Sequence, residues 1–548
     1  MLKAVFIICF LLFGGFYDWS VAFIGVALCI CTLLLYCRKN GIYKKEEKAI
    51  YWIPEIIFVF EIIVSFWAID FIENIAGVMR GTVILLWMNM CLQQDSDNKE
   101  YIIFMIPEMG VFAVCMGIIT YWLEKLKVIF WSAERLGGIF QYANTFAVFL
   151  LLGIIVYLHR LVAKIKKEQS WRKLSEVGKG IILVVGILLT GSRSVLILGI
   201  VCGCFHCISN KTFRKPFIYF ITSLGSLLGV FYIFTGNGQQ NISRIFTIIN
   251  SNSTLYGRLL YYVDGISILL KYPLGLGYMG YFYIQHALQT GVYTVRFIHN
   301  DILQMGIDYG IIPLILFSIF FMWQLLKGKQ SKLLKELFAV ITIASFVDFH
   351  MQYLIIDFII VLCLDMGERT VKPKRKEKTE NMIFLVLLAV CFTYFCVPYL
   401  AIYKGLYQVG LYFMPNNTNA LCMAMSNTRD KNDAVTYANH IIKQNEYVSE
   451  SYRVKAYAAA MDGDIDLMIE NMDMVLRLEK YDVGRYRAYD LLLLEHIKQL
   501  KNKNDKMYAP MINMLGEKRI EIREHLIGLS EETNPIAYKL RDVPQYTW

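Results

Sequence analysis

The chain has 548 residues, of which 56% are hydrophobic and 18% are charged, and its mean hydropathy is +0.46. This composition excludes an ordinary soluble protein and favours a polytopic membrane protein. The formal net charge of +10 comes from short basic runs between apolar stretches, a pattern that indicates membrane orientation and argues against a nucleic-acid partner.

Apolar runs of roughly membrane-spanning length follow one another through the first three quarters of the chain. The first run, after Lys3, resembles a signal peptide, but more runs follow at once, so we predict an uncleaved first helix. The predicted spans lie near residues 2–17, 19–37, 49–69, 76–93, 101–122, 143–160, 180–191, 194–209, 216–235, 301–326, 336–354, 354–366 and 381–404. The sequence therefore predicts an all-α polytopic membrane protein with about 13 transmembrane helices.

The basic loops give the predicted orientation, because Lys and Arg in short loops favour the cytoplasmic side. With thirteen spans, five basic clusters share that side: Arg38 to Lys48, Lys164 to Lys173, Lys211 to Lys215, Lys327 to Lys335, and Lys372 to Lys378. The N-terminus is then cytoplasmic, and the chain after residue 404 is extracytoplasmic. The same count places five polar residues near the outer face: Arg135, Arg193, Arg258, His299 and Asp348. This side argues against cytoplasmic nucleotide-sugar chemistry.

Two outer segments carry arginines in unusual settings. Arg193 ends a small polar break, Thr190-Gly191-Ser192-Arg193, between two apolar halves. A guanidinium just inside the membrane requires an anionic partner or water. The segment 236–300 is too long for a simple connection and is predicted to be a functional loop. It carries Arg258, then Pro273-Leu-Gly275-Leu-Gly277, and tyrosines that serve either as interfacial anchors or as stacking surfaces for sugars.

His299 and Asn300 stand at the mouth of the span predicted near 301–326. A histidine there can act as a base on one side of the bilayer. The alternative is an interfacial hydrogen bond, and the nearby arginines favour the base.

The cysteines predict no disulfide framework, since twelve of the 13 lie in or beside apolar stretches. Cys202, Cys204 and Cys207 with His206 are a conceivable metal set, but they crowd one helix end, and packing within the membrane is the favoured interpretation. We predict no metal and no cofactor.

From about residue 405 the sequence becomes charged and helical in period. Apolar residues recur at helical spacing at Val435, Ala438, Ile441 and Ile442. Helix starts recur at roughly the period of a tetratricopeptide (TPR) helix pair: near Asn432 and Asp464, and near Ser449 and Asp482. We therefore predict two domains, a membrane domain at 1–404 and an extracytoplasmic, TPR-like helical domain at 405–548.

Several motifs in order resemble the O-antigen ligase and Wzy polymerase superfamily of bacterial envelope glycosyltransferases, from about residue 135 to 360. The motifs are Arg135-Leu-Gly-Gly138-Ile-Phe140-Gln-Tyr-Ala-Asn144, Thr190-Gly191-Ser192-Arg193, Gly257-Arg258, Pro273-Leu-Gly275-Leu-Gly277, His299-Asn300 with Gly310, and Phe346-Val-Asp348-Phe. The histidine that often precedes the late Asp is replaced here, with Ser345 nearby.

This resemblance implies transfer of a glycan from a polyprenyl diphosphate carrier to a hydroxyl acceptor outside the cytoplasmic membrane, without nucleotide or metal. It implies that Arg193 and Arg258, with Arg135 third, bind the diphosphate. His299 would be the general base of an inverting reaction. Asp348, Asn300 and Asn144 would support the site, although Asp348 is equally well explained by a buried helix-to-helix hydrogen bond.

Two other classes remain open. A transporter or flippase of lipid-linked sugars would carry charges through the bilayer, and Glu55, Glu61, Arg80 and Glu108 do lie within predicted spans. A non-catalytic scaffold that presents the helical domain would need no outer Arg and His cluster. The expected partners are the bilayer, a lipid-linked glycan donor and a glycan, lipid or protein acceptor, and the helical domain is expected to bind a protein or glycan.

Overall fold

The computed structural model describes residues 1–38, 42–46, 48–94, 96–164, 170–209, 253–371, 375–502, 506–540 and 544–547. These residues are mainly helical, with very little strand, as the sequence predicts. The span predicted near 216–235 and the first part of the predicted loop 236–300 lie outside them.

The described residues before 210 form α1 (Leu2–Leu11), α2 (Asp18–Arg38), α3 (Ile53–Val64), α4 (Phe71–Leu92), α5 (Ser96–Ile103), α6 (Ile106–Thr120), α7 (Glu124–Phe130), α8 (Ala143–Lys164), α9 (Ser170–Thr190) and α10 (Arg193–Ser209). The next group comprises α11 (Ser253–Lys271), α12 (Gly280–Leu288), α13 (Asp301–Tyr309), α14 (Ile311–Lys327), α15 (Lys332–Ser345), α16 (Leu354–Cys363) and α17 (Arg375–Tyr403). From residue 253, the predicted loop 236–300 thus contains two helices, α11 and α12.

The remaining helices are α18 (Tyr407–Phe413), α19 (Thr418–Asn427), α20 (Lys431–Gln444), α21 (Ser449–Asp462), α22 (Ile465–Leu478), α23 (Val483–Asn502) and α24 (Ala509–Glu532). Short 3-10 turns occur at Phe13–Gly15, Ala49–Trp52, Gly138–Phe140, His350–Gln352, Lys506–Tyr508 and Ala537–Lys539. The strands form two small antiparallel pairs. In the first, β1 (Ile42–Lys45) pairs with β4 (Glu368–Val371), and in the second, β2 (Trp131–Ser132) pairs with β3 (Arg135–Leu136).

Five helical stretches in the described part of the chain are long and apolar enough to cross a membrane: Asp18–Arg38, Phe71–Leu92, Asp97–Thr120, Ala143–Arg160 and Lys378–Tyr403. The third of them runs through both α5 and α6. Shorter apolar helices accompany them at Leu2–Leu11, Gly178–Thr190, Arg193–Phe205, Ile311–Lys327 and Leu354–Cys363. These helices agree with a multi-pass membrane protein. The count of thirteen spans stays a prediction.

The span predicted near 301–326 is in fact two helices, α13 and α14, which meet at Gly310. Gly310 has a φ of +99°, and a Cβ added there would lie 2.8 Å from the carbonyl oxygen of Pro273. Only glycine accepts both this backbone conformation and this close approach. The span predicted near 336–354 also ends early, since α15 stops at Ser345 and an irregular segment runs to α16. Both breaks leave polar residues at helix ends.

The core of the membrane part consists of large side chains packed between helices. The Trp87 ring on α4 stacks on Phe358 of α16, with ring centroids 4.2 Å apart. The helices α2 and α17 pack so closely at Gly25 that a Cβ there would lie 2.7 Å from the Phe392 ring. Because lipid tails are as apolar as these side chains, close packing rather than hydrophobic transfer holds such helices together.

The C-terminal helices recur at a regular interval. Helices α20 and α22 start at Lys431 and Ile465, and α21 and α23 start at Ser449 and Val483, so that each pair of starts is 34 residues apart. This interval is that of a TPR helix pair. The TPR-like assignment and the division at residue 404 stay predictions.

The C-terminal helices contact the membrane part at the start of α4. Asp70 caps α4 by accepting from the backbone N–H groups of Ile72 and Glu73 at 3.1 Å. The hydroxyl of Thr418, at the start of α19, donates to the other Asp70 oxygen at 2.5 Å. The Asn419 amide donates to Glu73 at 2.7 Å. The acidic residues Asp70 and Glu73 at the start of α4 thus contact both α4 itself and the start of α19.

Candidate functional site

The centre of the candidate site is Asp348, in the irregular segment between α15 and α16. Its side chain is 1% exposed, yet it faces two basic groups. His299 Nδ1 lies 2.8 Å from Asp348 Oδ1, and Arg258 Nη2 lies 3.1 Å from Oδ2. The His299 and Arg258 side chains are 20% and 15% exposed. The carboxylate is therefore buried behind two groups that reach the surface.

Neutral side chains complete the environment of Asp348. The Asn144 amide donates to Oδ2 at 2.6 Å, and the Tyr142 hydroxyl donates to Oδ1 at 2.9 Å. Both come from the start of α8, just after Gln141, whose left-handed backbone (φ +57°) ends the short turn that precedes the helix. The backbone N–H of Phe349 adds a donor at 3.0 Å. Asp348 thus accepts from four side chains and one backbone group.

These partners keep Asp348 ionised. Burial by itself raises the pKa of this carboxyl, but the hydrogen bond from His299 and the positive charges around it outweigh burial, so its pKa lies well below the ordinary range. Burial and the neighbouring Asp348 charge raise the pKa of Tyr142, so that its hydroxyl remains a donor.

The backbone around His299 is set by a turn at the start of α13. His299 has a φ of +55°, which is uncommon outside glycine. The turn lets Asn300 cap α13, with its side-chain oxygen accepting from the Leu303 N–H at 3.0 Å. Asn300 therefore holds the start of the helix that follows His299.

The contact between His299 and Asp348 also selects a tautomer of the ring. An ionised carboxylate only accepts hydrogen bonds, so the Nδ1 atom that faces Asp348 carries the hydrogen. In the neutral ring the lone pair then lies on Nε2, where it is available as a base. The geometry supports the chemistry of a general base oriented by a carboxylate.

Tyr262 ties this turn to α11, the helix that carries Arg258. Its hydroxyl lies 2.8 Å from the His299 carbonyl oxygen and 3.1 Å from that of Phe346. Tyr262 follows Arg258 by four residues, so both side chains lie on one face of the helix. One helix face therefore contacts both the His299 turn and the Asp348 segment.

Arg135 connects the site to the Thr190–Arg193 turn. It lies in the hairpin of β2 and β3, whose tight turn has left-handed residues at Ala133 and Glu134. Its Nε donates to the Thr190 carbonyl at 2.7 Å, and its Nη2 donates to the Asn144 oxygen at 2.7 Å. Arg135 thereby holds Asn144, which in turn holds Asp348.

Arg193 is the first residue of α10, three positions after the Thr190 carbonyl that accepts from Arg135. Between them, Gly191 has a φ of +59° and would place a Cβ 3.8 Å from Arg135 Nε. The break at 190–193 is therefore a tight connection between two helices at the edge of the network. Of the alternative metal set, Cys202 and Cys204 lie on α10, and the side chains of His206 and Cys207 lie outside the described residues.

Direct hydrogen bonds join His299, Arg258, Asp348, Asn144 and Arg135, whereas Asn300 caps the adjacent helix and Arg193 starts a neighbouring one. The sequence reasoning did not assign Tyr142 or Tyr262 to the site. Both had a usable signal. Tyr142 lies within the Arg135–Asn144 motif, and Tyr262 lies one helical turn after Arg258.

The helices and this network define a multi-pass helical membrane protein with arginines, a histidine and a buried carboxylate gathered at helix ends. Residues 180–318, about a quarter of the chain, match the family model described as O-Antigen ligase (Wzy_C). This match confirms the resemblance to the O-antigen ligase and Wzy superfamily and indicates a glycosyltransferase-like membrane enzyme. The matched segment contains Arg193, Arg258, His299 and Asn300, while Arg135, Asn144 and Asp348 lie outside it. The search of curated proteins finds no match.

Proposed function

We propose that the protein is an inverting glycosyltransferase that moves a glycan from a polyprenyl diphosphate carrier to a hydroxyl acceptor at the outer face of the cytoplasmic membrane. The contacts of Asp348 with His299 and with Arg258 carry this proposal. Asp348 orients the His299 ring with Nε2 as the base, and Arg258 places a positive charge beside the same carboxylate. The acceptor is a glycan, a lipid or a protein.

His299 takes the proton of the acceptor hydroxyl while the oxygen attacks the anomeric carbon of the donor. The bond between that carbon and the diphosphate breaks, and the leaving group departs with its negative charge. Attack opposite the leaving group inverts the anomeric centre. Positioned base catalysis of this kind contributes roughly 100- to 10,000-fold.

Arginines stabilise the leaving diphosphate in this proposal. One N–H of Arg258 is engaged by Asp348, and its other N–H groups have no protein partner among the described residues, so they are open to phosphate oxygens. A planar guanidinium makes paired bonds to such oxygens. Arg135 lies in the same network and Arg193 starts the neighbouring helix, and both add positive charge near the position proposed for the anion. The proposal uses no metal ion.

The test is transfer from a purified polyprenyl-diphosphate glycan by the full chain in nanodiscs, with EDTA present. We expect His299→Ala to keep donor binding and to lose transfer by roughly 100- to 10,000-fold. His286→Ala and His350→Ala are the histidine controls, and we expect mild effects from both. Full transfer by His299→Ala would remove the base from the proposal, and loss of wild-type transfer in EDTA would require a metal.

Ligase and polymerase activities use the same donor, and the lipid-linked glycans that accumulate in a deletion strain distinguish them. Single repeat units would indicate a polymerase, and full-length chains would indicate a ligase. The proposed outward placement of the helical domain is tested by a reporter that works only outside the cytoplasm. The reporter should be active when fused after Asn416 and silent after Lys376.

A transporter of lipid-linked sugars is the second candidate, because Glu61 and Arg80 line a cavity within the helical membrane part. A transporter would move fluorescent lipid-linked glycan across a vesicle membrane, and His299→Ala would leave that movement intact. Glycan transfer to an acceptor without such movement would exclude this alternative.

A further inference from the structure

A second group of carboxyls lines a cavity of about 190 Å³ between α3, α4, α13, α14 and α16. Most of its wall is apolar. The carboxyls come from three helices: Glu61 on α3, Asp301 and Asp308 on α13, and Asp357 on α16. The cavity does not include His299 or Asp348, although Asp301 follows His299 by two residues.

These four carboxyls make no ion pair among the described residues. Arg80 is the only Lys or Arg among the described residues that line the cavity, and other groups already engage it. It donates to Asp18 at 3.0 Å, to the Gln352 carbonyl oxygen at 3.0 Å and to the carbonyl oxygen of Phe16. The carboxyls of the cavity thus outnumber the cations available to them.

Glu61 has an oxygen that finds no hydrogen-bond partner among the residues that the structure describes. This atom, Oε2, is buried, the residue is 9% exposed, and it lies against α4 beside Gly81. Arg80 Nε, also buried in this region, likewise has no partner in the described part of the chain. One of these atoms requires a donor and the other an acceptor. Water serves as both, and a cavity of this volume holds on the order of six water molecules.

A buried carboxyl in a membrane protein carries a large desolvation cost when it is ionised without a cation. The remaining polar contacts of the cavity are neutral ones. The Gln304 amide donates to Asp308 at 2.8 Å, and the Met351 N–H donates to Asp301 at 3.0 Å. Protons can neutralise each carboxylate separately, because proton binding does not require the carboxyls to converge on one point.

We propose that this cavity is a hydrated proton-binding site, in which protons on Glu61, Asp301, Asp308 and Asp357 hold α13 against α3. The site is connected to the chemistry because α13 begins at Asp301 and the His299 turn leads directly into it. This connection rests on the function proposed above. Proton binding itself does not.

Rising pH removes the protons and leaves like charges facing each other across the cavity. The titratable or charged groups that face it are Glu61 from α3, Arg80 from α4, Tyr278 before α12, Asp301, Asp308 and Tyr309 from α13, and Asp357 from α16, while α14 contributes apolar rings. Repulsion between Glu61 and Asp308 pushes α13 away and displaces the His299 turn. Transfer is therefore lost on the alkaline side.

The first test labels the wild-type chain with dicyclohexylcarbodiimide at pH 7 and maps the adducts by mass spectrometry. This apolar reagent adds to a protonated carboxyl and gives a stable N-acylurea with no leaving group. Glu55 is the matched control on the same helix, because it has a cationic partner that Glu61 lacks among the described residues, with Lys45 Nζ 2.5 Å away. We expect labelling at Glu61 that fades as pH rises, and none at Glu55.

Equal labelling of Glu55 and Glu61, or no labelling of Glu61, would overturn the proposal. Protection of Glu61 by sodium or magnesium ions at constant pH would also overturn it, in favour of a metal cation site. This readout uses no variant and does not depend on transfer.

The second test compares transfer at pH 7 and pH 9 for the wild type, Glu61→Gln and Glu55→Gln. When transfer requires one bound proton, the rate of transfer falls about tenfold for each pH unit above the pKa of the group that holds the proton. We expect the alkaline loss in the wild type and in Glu55→Gln, and a clearly smaller loss in Glu61→Gln, whose amide cannot ionise. The same alkaline loss in all three would disconnect the cavity from transfer. If His299→Ala kept full transfer while Glu61 was labelled, the proposed base would fail and proton binding would stand.

Discussion

Asp348 and Glu61 are two buried carboxyls with opposite surroundings. Asp348 is 1% exposed and accepts hydrogen bonds from His299, Arg258, Asn144 and Tyr142. Glu61 is 9% exposed, and its Oε2 has no hydrogen-bond partner within the described ranges. Burial raises the free energy of the charged form at both places. What differs is the set of donors, and this set makes Asp348 a carboxylate while Glu61 is proposed to hold a proton.

The difference follows from what each side chain faces. Asp348 lies in an irregular segment that the ends of α8, α11 and α13 approach, so cations and donors from three elements can converge on it. Glu61 lies in the last turn of α3, but its side chain faces the flank of α4 at Gly81. Helix ends supply polar partners, and helix flanks supply few.

A neutral side chain of the same shape tests what the charge of Asp348 contributes. Asp348→Asn leaves Arg258 beside a neutral amide and no longer requires the Nδ1 hydrogen of His299. We expect transfer in nanodiscs to fall by about 100- to 10,000-fold. Donor binding, measured by retention of the labelled lipid-linked glycan, should persist.

The matched control is Asp490, another buried carboxylate held by arginines. Arg519 donates to it at 2.7 and 3.0 Å, and Arg523 donates at 3.0 Å. Asp490→Asn should lower the Tm of the chain and leave transfer per folded molecule unchanged. Similar transfer losses in both variants would mean that Asp348 is only structural.

The next test keeps the charge next to Asp348 and changes its shape. Arg258→Lys preserves one positive charge but removes the planar fork that binds phosphate through paired bonds. Loss of one positioned donor set of this kind lowers turnover by about 100-fold, and we expect the same here, measured as kcat with saturating donor. Arg193→Lys should act in the same direction. Near-normal kcat in both variants would assign the diphosphate to other residues.

Much of the site could be predicted from the sequence because its chemistry lies in short motifs at predicted helix ends. The basic loops predict that Arg135, Arg258, His299 and Asp348 lie on one side of the membrane, and direct hydrogen bonds do connect these four residues through Asn144. Tyr142 was not assigned to the site from the sequence, because a tyrosine near the bilayer interface is more often an interfacial anchor. Its role depends on a tertiary contact with Asp348.

The break at Gly310 within the run 301–326 could not be predicted, since hydropathy averages over about twenty residues and does not register one backbone angle. Gly310 divides its run because Pro273, far away in sequence, packs against it. The carboxyl cavity could not be predicted either, because it also depends on contacts between residues that are far apart in the sequence. Glu61, Asp308 and Asp357 come from three separate runs, and only packing brings them to one wall.

A smaller effect tests a buried base next to Asp348. Burial lowers the pKa of His350 from 6.5 to about 4, and the opposing attraction of Asp348 does not compensate. The unfolded chain therefore binds this proton more tightly, and stability falls as pH drops from 6.5 to 4. The full loss is about 3 kcal/mol. We expect the Tm in detergent to decrease over this window, and Asp348, whose pKa is lower still, to contribute little there.

His350→Gln separates this effect from other titrations, because glutamine can bond to Thr145, which lies 3.0 Å from His350 Nδ1, but cannot ionise. The Tm of this variant should change less between pH 6.5 and pH 4 than the Tm of the wild type. An identical slope would place the acid sensitivity elsewhere.

Asp70 is a third buried carboxyl, and it differs from Asp348 because its partners are neutral donors. We expect the smallest effect here. Two backbone N–H groups of α4, the Thr418 hydroxyl and the Asn445 amide all point at it. Thr418→Val removes one donor and keeps the volume. A hydrogen bond to a charged group contributes about 1.5–3 kcal/mol, and the remaining donors reduce the loss, so we expect a decrease of about 1 kcal/mol in the stability of this contact.

The measurement is proteolysis of the connection between α17 and α19, which should be faster in Thr418→Val than in the wild type. Thr436→Val is the control, because that hydroxyl donates only to the Asn432 carbonyl within α20. Equal cleavage rates in the two variants would mean that Asp70 holds α4 alone and that other contacts hold the C-terminal helices.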